Sequence, residues 1–139
     1  MNADLEALRA FFALSPFMVD LGVEPEAVEP GRITTVMALA PRHLQHTGQA
    51  HAGVTASLAD HSMGAAAQTL APPGFWVVTA ELKTSLLRAA KGERLVCEAW
   101  VLKPGRQLSF TEAEVFVEGG GQRLLVAKAS ATMAVIAKA

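Results

Sequence analysis

The chain of 139 residues has a single cysteine, Cys97, which excludes an intrachain disulfide and a thiolate metal cluster. Charge of one sign is lacking too. The formal net charge is −1, with Lys and Arg scattered along the chain, so the electrostatic footprint of a nucleic-acid binder is missing. No apolar run approaches the roughly 20 residues that a membrane-spanning helix needs. The first residues carry Asp4 and Glu6 where a secretory signal would be basic. The expectation is therefore a soluble cytoplasmic protein without membrane contact. Internal repeats, low-complexity tracts and linkers are absent, and so is the Gly-x-Ser-x-Gly elbow that exposes a nucleophilic serine.

What is present is a chain 51% apolar and 18% charged, the composition of a compact globular protein. At this length it reads as one domain over 1–139, able to bury roughly two thirds of its unfolded surface. Leu5, Leu8, Phe11 and Phe12 fall at helical spacing, giving a short amphipathic helix within 1–16. The remainder, 18–139, forms the core. Residues 18–28 and 32–40 read as strands joined at Pro30-Gly31. Residues 41–49 are a polar loop, and about 50 to 70 is a proline-free helix rich in Ala, Leu and Met. Pro72 and Pro73 stop it. Period-2 alternation follows. Val78, Ala80, Leu82 and Leu86 share one predicted strand face, opposite Thr79, Glu81, Lys83 and Ser85. A strand over 94–102 comes next, then turns at 104–106 and 119–121. In the last strand Leu125, Ala127, Ala129, Ala131, Met133 and Val135 form the apolar face. One helix, two strands, one long helix and four strands give an α+β domain. The long helix is apolar around most of its circumference, so a curved six-stranded antiparallel sheet should wrap it, the hotdog arrangement.

The long helix carries unusual residues. Gly53, Ser57, Asp60 and Gly64 share one stripe at i, i+4, i+7 and i+11. Interior glycines cost about 1 kcal/mol each against alanine, so something approaches this stripe closely, either a symmetry mate or a ligand. Asp60 gains nothing from an apolar core and must reach water or find partners. It is either an exposed or dimer-interface aspartate paired with a nearby Arg or Lys, or a general base or nucleophile at a pocket edge. At the helix start the free N–H groups of Ala52 and Gly53, aided by the dipole, suit an oxyanion. His51 stands next to them. Nine residues of helix rise about 13 Å through two and a half turns, so His51 and Asp60 cannot converge on one carbon in one chain. If both ends act, a two-fold pairing of antiparallel helices would build two equivalent sites from two subunits.

The stretch "QHTGQAHAGVTASLAD" (45–60) resembles the Asn-x-x-Gly-x-x-His-Gly-Gly…Leu-Ala-Asp signature of hotdog-fold acyl-CoA thioesterases, nearest the phenylacetic-acid-degradation type. "TAELKTSLLRAAKGE", "KPGRQL" and "VAKASATMAV" are similar to that family's strands, and the resemblance runs from about 18 to 136. It implies hydrolysis of acyl-CoA to free acid and coenzyme A. Asp60 would be the base or nucleophile, and Ala52 would give the oxyanion amide, with Gly53 beside it. Gln45 would be the polar orienting residue and Thr79 the water-positioning hydroxyl, while His51 would shape the loop or polarise the carbonyl. Two positions depart from the pattern: Ala52 stands for the first glycine and Gln45 for asparagine. No cofactor is implied beyond the coenzyme A of the substrate, and the expected assembly is a homodimer or a tetramer of two dimers. Arg88, Lys91 and Arg106, near turns, are candidates for the coenzyme A phosphates. Phe75, Trp76 and Met63 could line an acyl pocket or simply belong to the core. His43, His46, His51 and His61 with Asp60 match no metal-ligand spacing, so no metal is expected. Cys97 has no paired histidine. The non-enzymatic alternative is a hotdog protein that binds acyl-CoA or only assembles.

Overall fold

A computed structural model describes residues 3–139. Helix α1 (Leu5–Phe12) starts at Asp4, whose carboxylate accepts the Ala7 N–H at 2.8 Å, and buries Leu8 and Phe12. Residues 18–21, expected as strand, are helical instead. Pro16 opens a short helix α2 (Pro16–Leu21), and Gly22 closes it in the left-handed conformation at φ 82°. Proline at the first helical position and glycine just past the end bracket a helix that residue alternation conceals. The first strand therefore begins at Glu24.

The strands are β1 (Glu24–Glu29), β2 (Arg32–Ala38), β3 (Phe75–Leu86), β4 (Arg94–Lys103), β5 (Leu108–Gly119) and β6 (Gln122–Ala137), with α3 (Ala52–Gln68) between β2 and β3. They form one antiparallel sheet in the order β1-β2-β4-β5-β6-β3, the expected hotdog fold. Helix α3 lies on the inner face of the sheet. Its Leu58, Ala59, Met63 and Ala66 are buried with Ile33 and Met37 of β2, Leu95 and Cys97 of β4, Val115 of β5 and Met133 of β6. Ala99, Ala113, Ala127, Ala129 and Ala131 keep the sheet side shallow, so the helix settles close to it. Met63, one of the two readings for which was a pocket wall, is core. A polar clip also fixes the helix: Thr35 and Ser62 share a hydrogen bond of 2.7 Å beneath it. Burial pushes the neighbouring Cys97 thiol up to about 12, so it stays protonated and inert.

Two bulges revise the predicted faces. In β3, Thr79 pairs with Met133 and Glu81 with Thr132, leaving Ala80 as an extra residue. The phase of the strand flips there. Thr79, Leu82 and Leu86 lie on the helix side of the sheet, the two leucines still exposed at its edge, whereas Val78 is on the outer side, so the expected face of Val78, Ala80, Leu82 and Leu86 is split. In β6, Val126 is the extra residue between Leu125 and Ala127, which turns Leu125 outward and leaves the rest of its predicted face intact. Among the described residues no helix is long and apolar enough to cross a membrane.

Candidate active site

The loop before α3 is built on two histidines. His43 is buried; its Nδ1 accepts the Ala40 N–H at 3.0 Å and its Nε2 donates to the Leu21 carbonyl at 2.9 Å. This pins the loop to the end of α2. The His43 carbonyl in turn accepts the His51 N–H, and the Ala50 N–H bonds the Ala90 carbonyl at 3.0 Å, tying the loop to the β3–β4 connection. His51 then caps α3. Its Nδ1 accepts the Gly53 N–H at 2.8 Å. This explains one glycine of the stripe: a Cβ at residue 53 would lie 3.1 Å from that nitrogen.

The cap also sorts the free donors of the first turn. The N–H groups of Val54 and Thr55 bond the His51 carbonyl, and Gly53 is taken by the imidazole. Only the Ala52 N–H finds no acceptor among the described residues. The pair of donors expected at Ala52 and Gly53 is thus one free donor, because the capping side chain competes for the second. In front of it lies a cleft of about 350 Å³ lined by Gln45, Gln49, Ala52, Thr55, Leu86 and Arg88. The Gln45 amide donates to Thr47 Oγ1 at 2.8 Å, on the loop that forms one wall.

Asp60 and Thr79 form a second cluster. The Thr79 hydroxyl donates to Asp60 Oδ1 at 2.6 Å and lies 3.5 Å from Met133 Sδ. Asp60 is half-buried and Thr79 exposed. Asp60 makes no ion pair among the described residues, so an Arg or Lys partner for it is not found within the chain there. The bulge at Ala80 is what turns Thr79 toward the helix. Gln49 and Met133 join these clusters without a sequence signal, since only the loop path and the strand register place them.

Within one chain the clusters stay apart. Eight residues of α3 separate Ala52 from Asp60, about 12 Å of rise. Arg88 stands in the cleft, and exposed Lys91 is on the connection beyond it. Arg106 is at the opposite end of the sheet, where the Gln107 carbonyl accepts the Val135 N–H, and the three cations do not converge. His61, next to Asp60, turns away under α1. Phe12 meets its ring edge-on at 4.3 Å and Phe11 stacks at 6.4 Å. Burial there lowers its pKa to about 4, and Nε2 has no hydrogen-bond partner among the described residues. Among the described residues no group of three or more His, Cys, Asp or Glu is placed to hold a metal ion.

Comparison with known proteins follows the same outline. Residues 47–123 match the family model of the thioesterase superfamily. The chain is 30% identical over 96 residues to acyl-coenzyme A thioesterase 13 of Homo sapiens, covering 67% of this chain and 66% of that protein's length. A thioesterase family protein from Silicibacter pomeroyi superposes with a TM-score of 0.92 at 32% identity, over 96% of this chain and 98% of that one. The PaaI protein of the E. coli phenylacetic acid degradation operon shares the fold at a TM-score of 0.84 and 20% identity, over 94% and 91% of the two chains.

Proposed function

The chain belongs to the thioesterase superfamily, and from that premise we propose that it hydrolyses acyl-CoA thioesters to the free acid and coenzyme A, as a phenylacetic-acid-degradation type enzyme. The observation that carries this is the Asp60 carboxylate, without an ion pair among the described residues and held at one oxygen by the Thr79 hydroxyl at 2.6 Å. That leaves the second oxygen to act on water. Asp60 takes a proton as the water oxygen attacks the thioester carbonyl carbon, with Thr79 placing the water. The oxyanion forms against the Ala52 N–H, with Gln45 orienting the substrate. As it collapses the C–S bond breaks, and the proton held by Asp60 passes to the departing thiolate. His51 serves by capping: it occupies Gly53 and holds the loop that aims Ala52.

The 12 Å between Ala52 and Asp60 requires that each site combine the helix start of one subunit with Asp60 of another. Support comes from β3, an edge strand of twelve residues that exposes Trp76, Val78, Leu82 and Leu86; beyond its start, where the Gln68 amide bonds the Phe75 carbonyl and the Val77 N–H, its outer side has no strand beside it among the described residues. Antiparallel pairing of two β3 strands about a two-fold axis brings the start of one beside the end of the other. The assembly is a homodimer, with further association to a tetramer. Arg88 and Lys91 then meet coenzyme A phosphates from one subunit, and Arg106 only from the other.

The test is thiol release from a panel of acyl-CoAs. Native protein should turn over, and Asp60→Asn should fall at least about 100-fold. A native protein that binds acyl-CoA without cleaving it would establish the non-catalytic alternative instead.

A further inference from the structure

On the thioesterase reading, we infer that α1 and the start of β3 form the acyl-recognition wall, with Phe11 and Trp76 selecting a thioester that bears a hydrocarbon tail of roughly ten carbons. The reacting carbon must lie beside Asp60. From there the stripe of α3 runs Asp60, Gly64, Gln68 at i, i+4 and i+8, one line along the helix. Gly64 is open: a Cβ there would meet nothing within 4 Å. Gln68 lines a groove of about 330 Å³ between α1 and the start of β3, with Ala10, Phe11 and Leu14 on one side and Phe75 and Trp76 on the other. A pocket of this size is at the lower end of small-molecule sites, ~300–1,000 Å³.

Phe11 spans the groove from helix to edge strand. Its ring stacks 6.4 Å from His61 of α3 and lies 6.2 Å from Trp76 of β3. The line from the candidate site to this wall is the α3 stripe itself, Asp60 to Gly64 to Gln68. Among the described residues that line it the groove has no carboxylate and one cation, Lys138, whose ammonium lies 4.0 Å from the centre of the Trp76 ring and is so already engaged by that aromatic face. An uncharged apolar tail fits this lining. From Asp60 to Gln68 is about 12 Å along the helix, and an extended chain advances roughly 1.2 Å per bond, which sets the tail at roughly ten carbons. Short acyl groups would stop beside Gly64 and leave the groove untouched.

The experiment measures kcat/KM across acetyl-, hexanoyl-, decanoyl- and tetradecanoyl-CoA for native protein, Phe11→Ala and Gly64→Leu. Native protein should favour decanoyl over acetyl by at least 10-fold. Phe11→Ala should lower the decanoyl value 5-fold or more and leave acetyl within 2-fold. Gly64→Leu, whose side chain enters open space and spares the core, should do the same by blocking the path. A flat native profile, or variants that lower all lengths equally while retaining the native melting temperature, overturns the assignment. Native protein that cleaves phenylacetyl-CoA but no member of the series overturns this inference alone, and native protein that cleaves none of these overturns the thioesterase reading with it. If the length profile behaves as stated but Asp60→Asn retains full turnover, the acyl wall stands and the role of Asp60 fails.

Discussion

The two edges of the sheet are built for opposite fates. Edge strand β1 has six residues and contains Pro25 and three glutamates. Each of these features discourages another strand from adding on. Edge strand β3 has twelve residues, no proline, and leaves Trp76, Val78, Leu82 and Leu86 exposed by 37%, 44%, 39% and 55%. On an isolated chain it would be an aggregation hazard, and a matched partner strand removes that hazard. One edge is closed by composition, and on the proposed reading the other takes a second copy. The half-sites proposed at Ala52 and Asp60 lie on the helix beside that open edge.

The comparison can be broken by making β3 resemble β1. Val78→Lys with Leu82→Lys should give single chains by sedimentation and lower thiol release at least about 100-fold, since neither half-site is then completed. Ala27→Lys, on the closed edge, should leave mass and turnover unchanged; equal effects at both edges would refute the contrast. A smaller effect tests the link between the open edge and the helix. Thr79→Val deletes the hydroxyl that holds Asp60 and should lower kcat about 10-fold, with little change in KM and in oligomeric mass.

The smallest effect at neutral pH concerns α1, which packs on β1 and reaches Trp76 of β3 through Phe11. His61 beneath it is held neutral, with its pKa lowered from 6.5 to about 4 by burial. Above pH 6.5 the group is neutral folded and unfolded, so it costs nothing. As pH falls below 6.5 the unfolded chain gains a proton that the folded one refuses. Stability should decline by about 3 kcal/mol as pH approaches 4. Denaturant melts at pH 7 and near pH 4 should show this loss for the native protein, and His61→Phe should remove that part of it.

Much of this was legible from residue order alone. The hotdog arrangement followed from one alanine-rich helix among six alternating runs, because each run had to bury one face. The stripe holding Asp60 was legible for the same reason, since helical period fixes it. What escaped were local competitions. Alternation over 18–28 hid α2, because Pro16 and Gly22 decide backbone conformation without altering the apolar pattern. The N–H of Gly53 counted as free until the imidazole of its own cap took it. The aromatic surface of Phe11 and Trp76 joins residues 65 positions apart and follows only from how α1 crosses the helix. The faces of β3 were misphased at Ala80, since a bulge is a property of two paired strands.

That bulge has a consequence for how the chain tolerates change. Ala80 lends the strand its length and nothing from its side chain. Thr79 precedes it and Leu82 follows it, and both look inward only because one residue between them goes unpaired. Position 80 is therefore spare in the pairing: with it deleted, Thr79 and Leu82 would stand two apart in a regular strand and keep their common face, whereas a strand that paired residue 80 could hold Thr79 or Leu82 on the helix side, but not both.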